Sequence, residues 1–203
     1  MTSRSVEFFE KQFARQAAER DFALNPFERA VLPYLSGDVL DLGCGLGNLA
    51  MAAAEKGCRV TALDASPAAI ASLAERAAAQ ELPIKVQAAD LREIEVESEF
   101  DCVVAIGLLM FLPLESARAG ISRIQRLVKP GGLAAINVLI EGTTFMDMFD
   151  PKGFYLFGEN EIPDAFRGWM TECLNIESFP APKHTVKRFC TIVARRSDAE
   201  PRE

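Results

Sequence analysis

From residue 38 the chain alternates between two hydrophobic rhythms. Apolar runs at 38–42, 59–63, 84–88, 101–106 and 132–139 predict buried strands. Between them, alanine-rich or amphipathic stretches at about 48–56, 67–80 and 115–128 predict helices. Ser66-Pro67 supplies a cap and a first-turn proline for the second of these. Strand then helix, repeated, implies a parallel sheet with right-handed crossovers and helices on both faces.

The two ends break this rhythm. Phe8, Phe9, Gln12, Phe13 and Gln16 recur at helical spacing to about residue 20. Asn25-Pro26-Phe27-Glu28 then gives a capping residue, a first-turn proline and a capping-box acid, so a second helix is expected to about Leu35. Lys129-Pro130-Gly131-Gly132 predicts a turn into the fifth strand. After Ile140 comes an irregular aromatic stretch from Phe145 to Phe157, then a short helix near Glu159–Trp169. Thr171–Phe179 and Val186–Ala194 read as strands joined by Pro180-Ala181-Pro182; with no helix between them, they should pair antiparallel. The polar tail after Arg196 is expected to fray.

Candidate chemistry concentrates at residues 39–47, Val-Leu-Asp-Leu-Gly-Cys-Gly-Leu-Gly. A strand breaks into Gly43, Gly45 and Gly47, and a helix restarts at Asn48. Glycine permits a sharp turn and close approach of a ligand to the backbone, so this is a cofactor-binding corner. Asp41, ahead of the glycines, suits a cationic or amino-bearing ligand better than a phosphate. A nicotinamide dinucleotide site would ask for Gly-x-Gly-x-x-Gly; Gly43 and Gly45 fit, but the third position is Asn48 and Asp41 would face a pyrophosphate. Cys44, inside the turn, reads first as a small residue that fits there and second as a reactive thiol.

Charge and composition narrow the partners. A net charge of −7 argues against a nucleic-acid substrate, which calls for a basic surface. No apolar run reaches the length of a membrane span, and Met1–Glu10 lacks the basic-then-apolar layout of a signal peptide. Five scattered cysteines without a Cys-x-x-Cys pair imply reduced thiols in the cytoplasm, with neither a disulfide framework nor a zinc site. No metal site is expected.

Five segments in register resemble the motifs of class I S-adenosylmethionine-dependent methyltransferases. They are Asp41–Gly47, Val60–Asp64, Ala88–Leu91, Phe100–Ile106 and Leu127–Leu133. The resemblance implies an α/β, Rossmann-like fold: a mostly parallel seven-stranded sheet with an antiparallel C-terminal strand and helices on both faces. It implies S-adenosylmethionine as cofactor and S-adenosylhomocysteine as product. By the same resemblance Gly43, Cys44, Gly45 and Gly47 lie against the methionine and ribose part, and Asp41 sits near the amino group. Asp64, with neighbouring Ala65, accepts from the ribose hydroxyls; Asp90 and the Leu91 backbone take the adenine; Ile106 and Gly107 form the wall beneath. Taken from the residues alone, Asp41 reads equally as a turn-capping acid and Asp64 as a helix cap. Asp101 is expected to support the sheet edge.

The second half, with Leu108–Leu112, Phe157–Ile162, Phe166–Trp169 and Arg188–Arg195, resembles the TehB-like tellurite resistance methyltransferases. This implies a small-molecule acceptor, a tellurite- or selenite-type oxyanion among the candidates. The arm before the last strand, Pro180–Lys187, is shorter than in that family and carries a single histidine. His184 and Arg188, in a basic patch with Lys183 and Lys187, are the candidate catalytic pair, as anion grip or base; a solvated charge cluster flanking a strand is the alternative.

The whole chain is expected to form one domain. Residues 1–37 would be an N-terminal helical lid, with packing on the sheet edge the alternative; 38–140 the cofactor-binding half; 141–196 the substrate-side half; 197–203 a flexible tail. The competing function is a non-catalytic S-adenosylmethionine-binding sensor or scaffold. Monomer and homodimer both stay open.

Overall fold

The structure is a computed structural model and describes residues 4–90, 98–151 and 153–198. Seven strands, β1 (Asp38–Leu42), β2 (Arg59–Asp64), β3 (Ile84–Ala88), β4 (Phe100–Ile106), β5 (Val128–Leu139), β6 (Met170–Ala181) and β7 (Thr185–Arg195), make one sheet in the order β3-β2-β1-β4-β5-β7-β6. Neighbours among β1 to β5 pair parallel, and β7 runs antiparallel to both β5 and β6. This is the mostly parallel Rossmann-like sheet that the motifs implied. Among the described residues six helices accompany it: α1 (Arg4–Glu19), α2 (Pro26–Val31), α3 (Asn48–Glu55), α4 (Pro67–Ala79), α5 (Leu114–Leu127) and α6 (Glu161–Ala165). Residues 1–3 of the expected lid, Leu91, and residues 199–203 of the expected tail lie outside the described residues.

The apolar runs have a plain cause in the centre of the sheet: side chains alternate across a strand, and both faces of β1, β4 and β5 are covered. The expected buried strand at 84–88 is instead the edge strand β3, with no buried residue, and the opposite edge strand β6 has none either. Leu40, Val103, Ile136 and Ile192 pack on one side with Ile121 and Ile124 of α5. Val39, Val104, Ala135 and Val193 pack on the other with Met51 of α3 and Leu73 of α4. Asp41 is the buried charged residue of β1, and it lies toward the carboxyl edge where a ligand would enter.

Four boundaries differ from the sequence reading, each for a local reason. The second helix is α-helical only to Val31, then tightens into a 3₁₀ turn, Leu32–Tyr34. Pro33 has no N–H with which to continue the α-helical ladder. The expected turn at Lys129–Gly132 is a bulge within β5: Val128 already pairs with Phe100, and pairing resumes at Leu133 with Cys102. Gly131 adopts φ +74° there, and the Arg196 N–H closes the bulge onto the Gly132 carbonyl at 2.8 Å. The last helix covers only Glu161–Ala165. Pro180 and Ala181 belong to β6, which as an edge strand tolerates proline. The hairpin turns instead through Pro182–His184, closed by the Thr185 N–H donating to the Pro182 carbonyl at 3.3 Å.

Candidate functional site

At the carboxyl ends of β1, β2 and β4 lies a cavity of about 710 Å³. Its floor is the glycine turn. The Gly43 and Cys44 N–H groups donate to the Leu63 carbonyl at 2.7 and 3.0 Å, which ties the turn to the end of β2. Gly45 has φ +53° and lies under the Phe13 ring of α1: a Cβ there would sit 3.0 Å from the ring carbons. Only a residue without a side chain lets the backbone come this close to its cover.

Asp64 holds the two strand ends together. Its Oδ2 accepts from the Gly45 N–H at 2.8 Å and its Oδ1 from the Ser66 N–H at 2.8 Å. Burial raises its pKa, and the backbone donors Ser66, Gly45 and Ala65 pull against that rise. With these donors in place the carboxylate still has acceptor capacity for a hydroxyl. Asp41 is different. It is 4% exposed, and its Oδ2 has no hydrogen-bond partner among the described residues. Burial, then the negative charges of Glu28 and Asp64, push its pKa up to about 8. A buried carboxylate among other acids is stabilised by a cation and repelled by an anion, so the donor set fits an ammonium-bearing ligand and not a phosphate.

Of the expected cofactor residues, Asp41, Gly43, Cys44, Gly45, Asp64, Ala65, Asp90, Ile106 and Gly107 all line this cavity. Gly47 does not: its left-handed backbone (φ +71°) serves packing, because a Cβ would come 2.4 Å from the Leu73 methyls. Leu91 is outside the described residues. The Cys44 thiol is pushed well above its usual value, first by burial and then by Asp41 and Asp64, so it is not a poised nucleophile. Asp101 accepts from the Asp38 N–H at 2.7 Å and from Lys129 at 2.9 Å, away from the cavity. Among the described residues, no group of three or more His, Cys, Asp or Glu could hold a metal ion. No helix among them is long and apolar enough to cross a membrane.

The candidate catalytic pair lies outside the cavity lining. His184 is exposed at the hairpin turn with φ +58°, and it does not line the cavity. Arg188 does not line it either. Its guanidinium donates to the Glu141 carbonyl at 2.9 Å and pairs with Glu159 at 2.8 Å, pinning the loop that follows β5. Lys187 and Phe189 line the cavity instead. Register decides this: Phe189 opposes Leu139 on β5, and residues 187 and 189 share the face that 188 does not.

Sequence reasoning also passed over Glu28. The Asn25 capping box is present, with Asn25 accepting from Phe27 and Glu28 N–H groups and the Glu28 carboxylate accepting from the Asn25 N–H at 2.7 Å. The same box holds Phe27 and Glu28 in the cavity wall. α1 lies across the cavity as well: Phe9 meets Phe111 edge-on at 5.0 Å, and Asp150 accepts from the Arg4 N–H at 3.4 Å while its own N–H donates to Ser5 at 3.2 Å.

Comparison with known proteins agrees with this geometry. Residues 39–132 match the family model described as a methyltransferase domain. The probable S-adenosyl-L-methionine-dependent methyltransferase TehB of Haemophilus influenzae is 29% identical over 132 residues, covering 64% of this chain and 45% of TehB. The crystal structure of H. influenzae TehB superposes with a TM-score of 0.75 at 24% identity, covering 86% of this chain and 63% of that one. A 1,6-didemethyltoxoflavin-N1-methyltransferase of Burkholderia thailandensis, crystallised with 1,6-didemethyltoxoflavin and S-adenosylhomocysteine, gives 0.70 at 22% identity, covering 96% and 87%. The chain spans 54%, 66% and 45% of the length of three of the curated relatives it matches.

Proposed function

We propose that this chain, which carries a methyltransferase domain, has the class I fold and resembles TehB, is an S-adenosylmethionine-dependent methyltransferase acting on a small-molecule acceptor. One observation carries the reading: the partnerless Oδ2 of buried Asp41, beside a left-handed glycine turn at the carboxyl edge of a parallel sheet. An ammonium group would satisfy that oxygen and offset the charges of Glu28 and Asp64. In this reading Asp64 takes the ribose hydroxyls on its remaining lone pairs and Asp90, with the expected Leu91 backbone, the adenine. Gly43, Cys44, Gly45, Ala65, Ile106 and Gly107 form the walls.

When bound, the sulfonium supplies an activated methyl group: an acceptor lone pair forms the new bond to carbon while the carbon–sulfur pair leaves with sulfur, giving S-adenosylhomocysteine. The chain's share is to hold the acceptor in line and keep water out, which in favourable cases lowers a barrier by roughly 7–11 kcal/mol. Residues 4–37 serve as the lid, supported by the Phe13 ring lying over Gly45. A proton need be taken only from an acceptor whose nucleophilic atom carries one.

A tellurite- or selenite-type oxyanion is the acceptor that the TehB-like resemblance brings forward. With His184 and Arg188 outside the cavity lining, the two groups expected to grip it are missing from the wall, and a small organic nucleophile is the better reading. We place the reaction in the cytoplasm, in keeping with five free thiols.

Calorimetric titration with S-adenosylmethionine and S-adenosylhomocysteine tests the proposal. Both should bind, and Asp64→Ala should weaken them by roughly 10–100-fold, the worth of charge-assisted hydrogen bonds. Absence of binding to the unaltered protein would reject it.

A further inference from the structure

We infer that the methyl acceptor is a flat, largely apolar organic molecule bearing one anionic group, and that Lys187 holds that group. The inference rests on the methyl-transfer reading of the same cavity. Beyond the glycine turn the walls are chiefly aromatic and aliphatic, with Gln12, Gln16, Asn137 and Asp150 among them. Phe9 stands edge-on to Phe111, Phe27 lies 4.4 Å from Phe189 between ring centroids, and Leu139 and Met148 add to the lining. Such surfaces take a planar ring by stacking and edge contacts, and they offer little to a small, strongly hydrated inorganic anion.

Among the described lining residues Lys187 is the one basic side chain. It is half-buried on β7, opposite Phe179 of β6, and its ammonium lies 4.5 Å from the Phe145 ring centroid. Among the described residues it has no carboxylate partner, and burial pulls its pKa down. A cation partly removed from water without a counter-ion carries an uncompensated desolvation cost, which a ligand anion would offset. The neighbouring cations are already paired on the outside, Lys183 with Asp147 at 3.0 Å and Arg188 with Glu159 at 2.8 Å. The five acids among the described lining residues have other places: Glu28 with the Asn25 N–H, Asp150 with the start of α1, Asp41 and Asp64 at the glycine turn, and Asp90 just past the end of β3.

The test uses the full chain saturated with S-adenosylhomocysteine. It is titrated with benzoate and 2-naphthoate, with their uncharged amides, and with selenite and tellurite. We expect the carboxylates to bind at least about fivefold tighter than their amides, a difference of about 1 kcal/mol. Lys187→Met, which keeps the apolar stem, should erase the preference while leaving amide binding in place. Lys187→Gln serves if the Met variant melts early. Equal binding of acid and amide, a preference untouched by either variant, or selenite or tellurite binding better than any aromatic acid would overturn the inference. So would S-adenosylhomocysteine binding with no aromatic ligand following it. Failure of S-adenosylhomocysteine itself to bind would instead strike the cofactor reading.

Discussion

Cofactor binding should drive a proton off Asp41. In the free protein this carboxyl has been raised from 3.8 to about 8, chiefly by burial and then by the charges of Glu28 and Asp64. At pH 7, one unit lower, about nine molecules in ten carry it neutral. An ammonium placed against Oδ2 favours the carboxylate, so about 0.9 proton should leave per ligand bound at pH 7. Affinity should then rise nearly tenfold per unit between about pH 6 and 7 and flatten near 8, where the ligand's own α-amino group begins to lose its proton. Titration with S-adenosylhomocysteine at pH 7 in two buffers of different ionisation enthalpy counts the protons directly. Asp64, Glu28 and the Cys44 thiol share the site, so Asp41→Asn is the control: its release should fall to about 0.1 or less.

The same linkage has a signature in stability. The folded value lies above the unfolded one, so the folded state holds the extra proton between about pH 4 and 8, and stability falls as pH rises through that window. The melting difference between Asp41→Asn and the parent should therefore grow in favour of the variant from pH 4 to 8, at up to about 1.4 kcal/mol per unit. Buffer-independent heats together with a flat melting difference would refute the reasoning.

Three further outcomes follow from the geometry. Gly47→Ala should destabilise the fold by about 2–4 kcal/mol, seen as a lowered melting temperature, because its Cβ would collide with Leu73 in a left-handed backbone. Phe13→Ala should uncover the glycine turn and speed S-adenosylhomocysteine release by roughly 5–10-fold in stopped flow, with little change in melting. His184→Gly should keep methyl transfer within about twofold and leave melting equal or raised by up to about 1 kcal/mol, since it relieves a left-handed residue at an exposed turn; a tenfold loss of rate would contradict its position outside the cavity.

Much of this was legible because the central strands β1, β4 and β5 are buried on both faces. Runs such as Val39–Leu42 and Cys102–Ile106 have no competing helical reading of that length, and Ser66-Pro67 marks a helix start by local chemistry alone. The glycine turn was legible for the same local reason. What stayed hidden depends on partners distant in sequence. Whether residue 187 or 188 faces the cavity is set by how β7 registers against β5, and a one-residue phase exchanges Lys187 for Arg188. Glu28 carried a complete local explanation as a helix cap, so nothing in the sequence asked for a second role. Gly47 looked like its neighbours, and only the position of Leu73 on α4 separates a packing glycine from the glycines that line the cavity.

The most direct measurement is acceptor-dependent formation of S-adenosylhomocysteine by the purified protein, given S-adenosylmethionine with small organic nucleophiles in one set of reactions and tellurite or selenite in another. Turnover in the organic set, lost in Asp64→Ala, is the predicted result. Cofactor that binds but is never converted, whatever acceptor is offered, would contradict the enzyme and favour a sensor or scaffold that has kept the pocket.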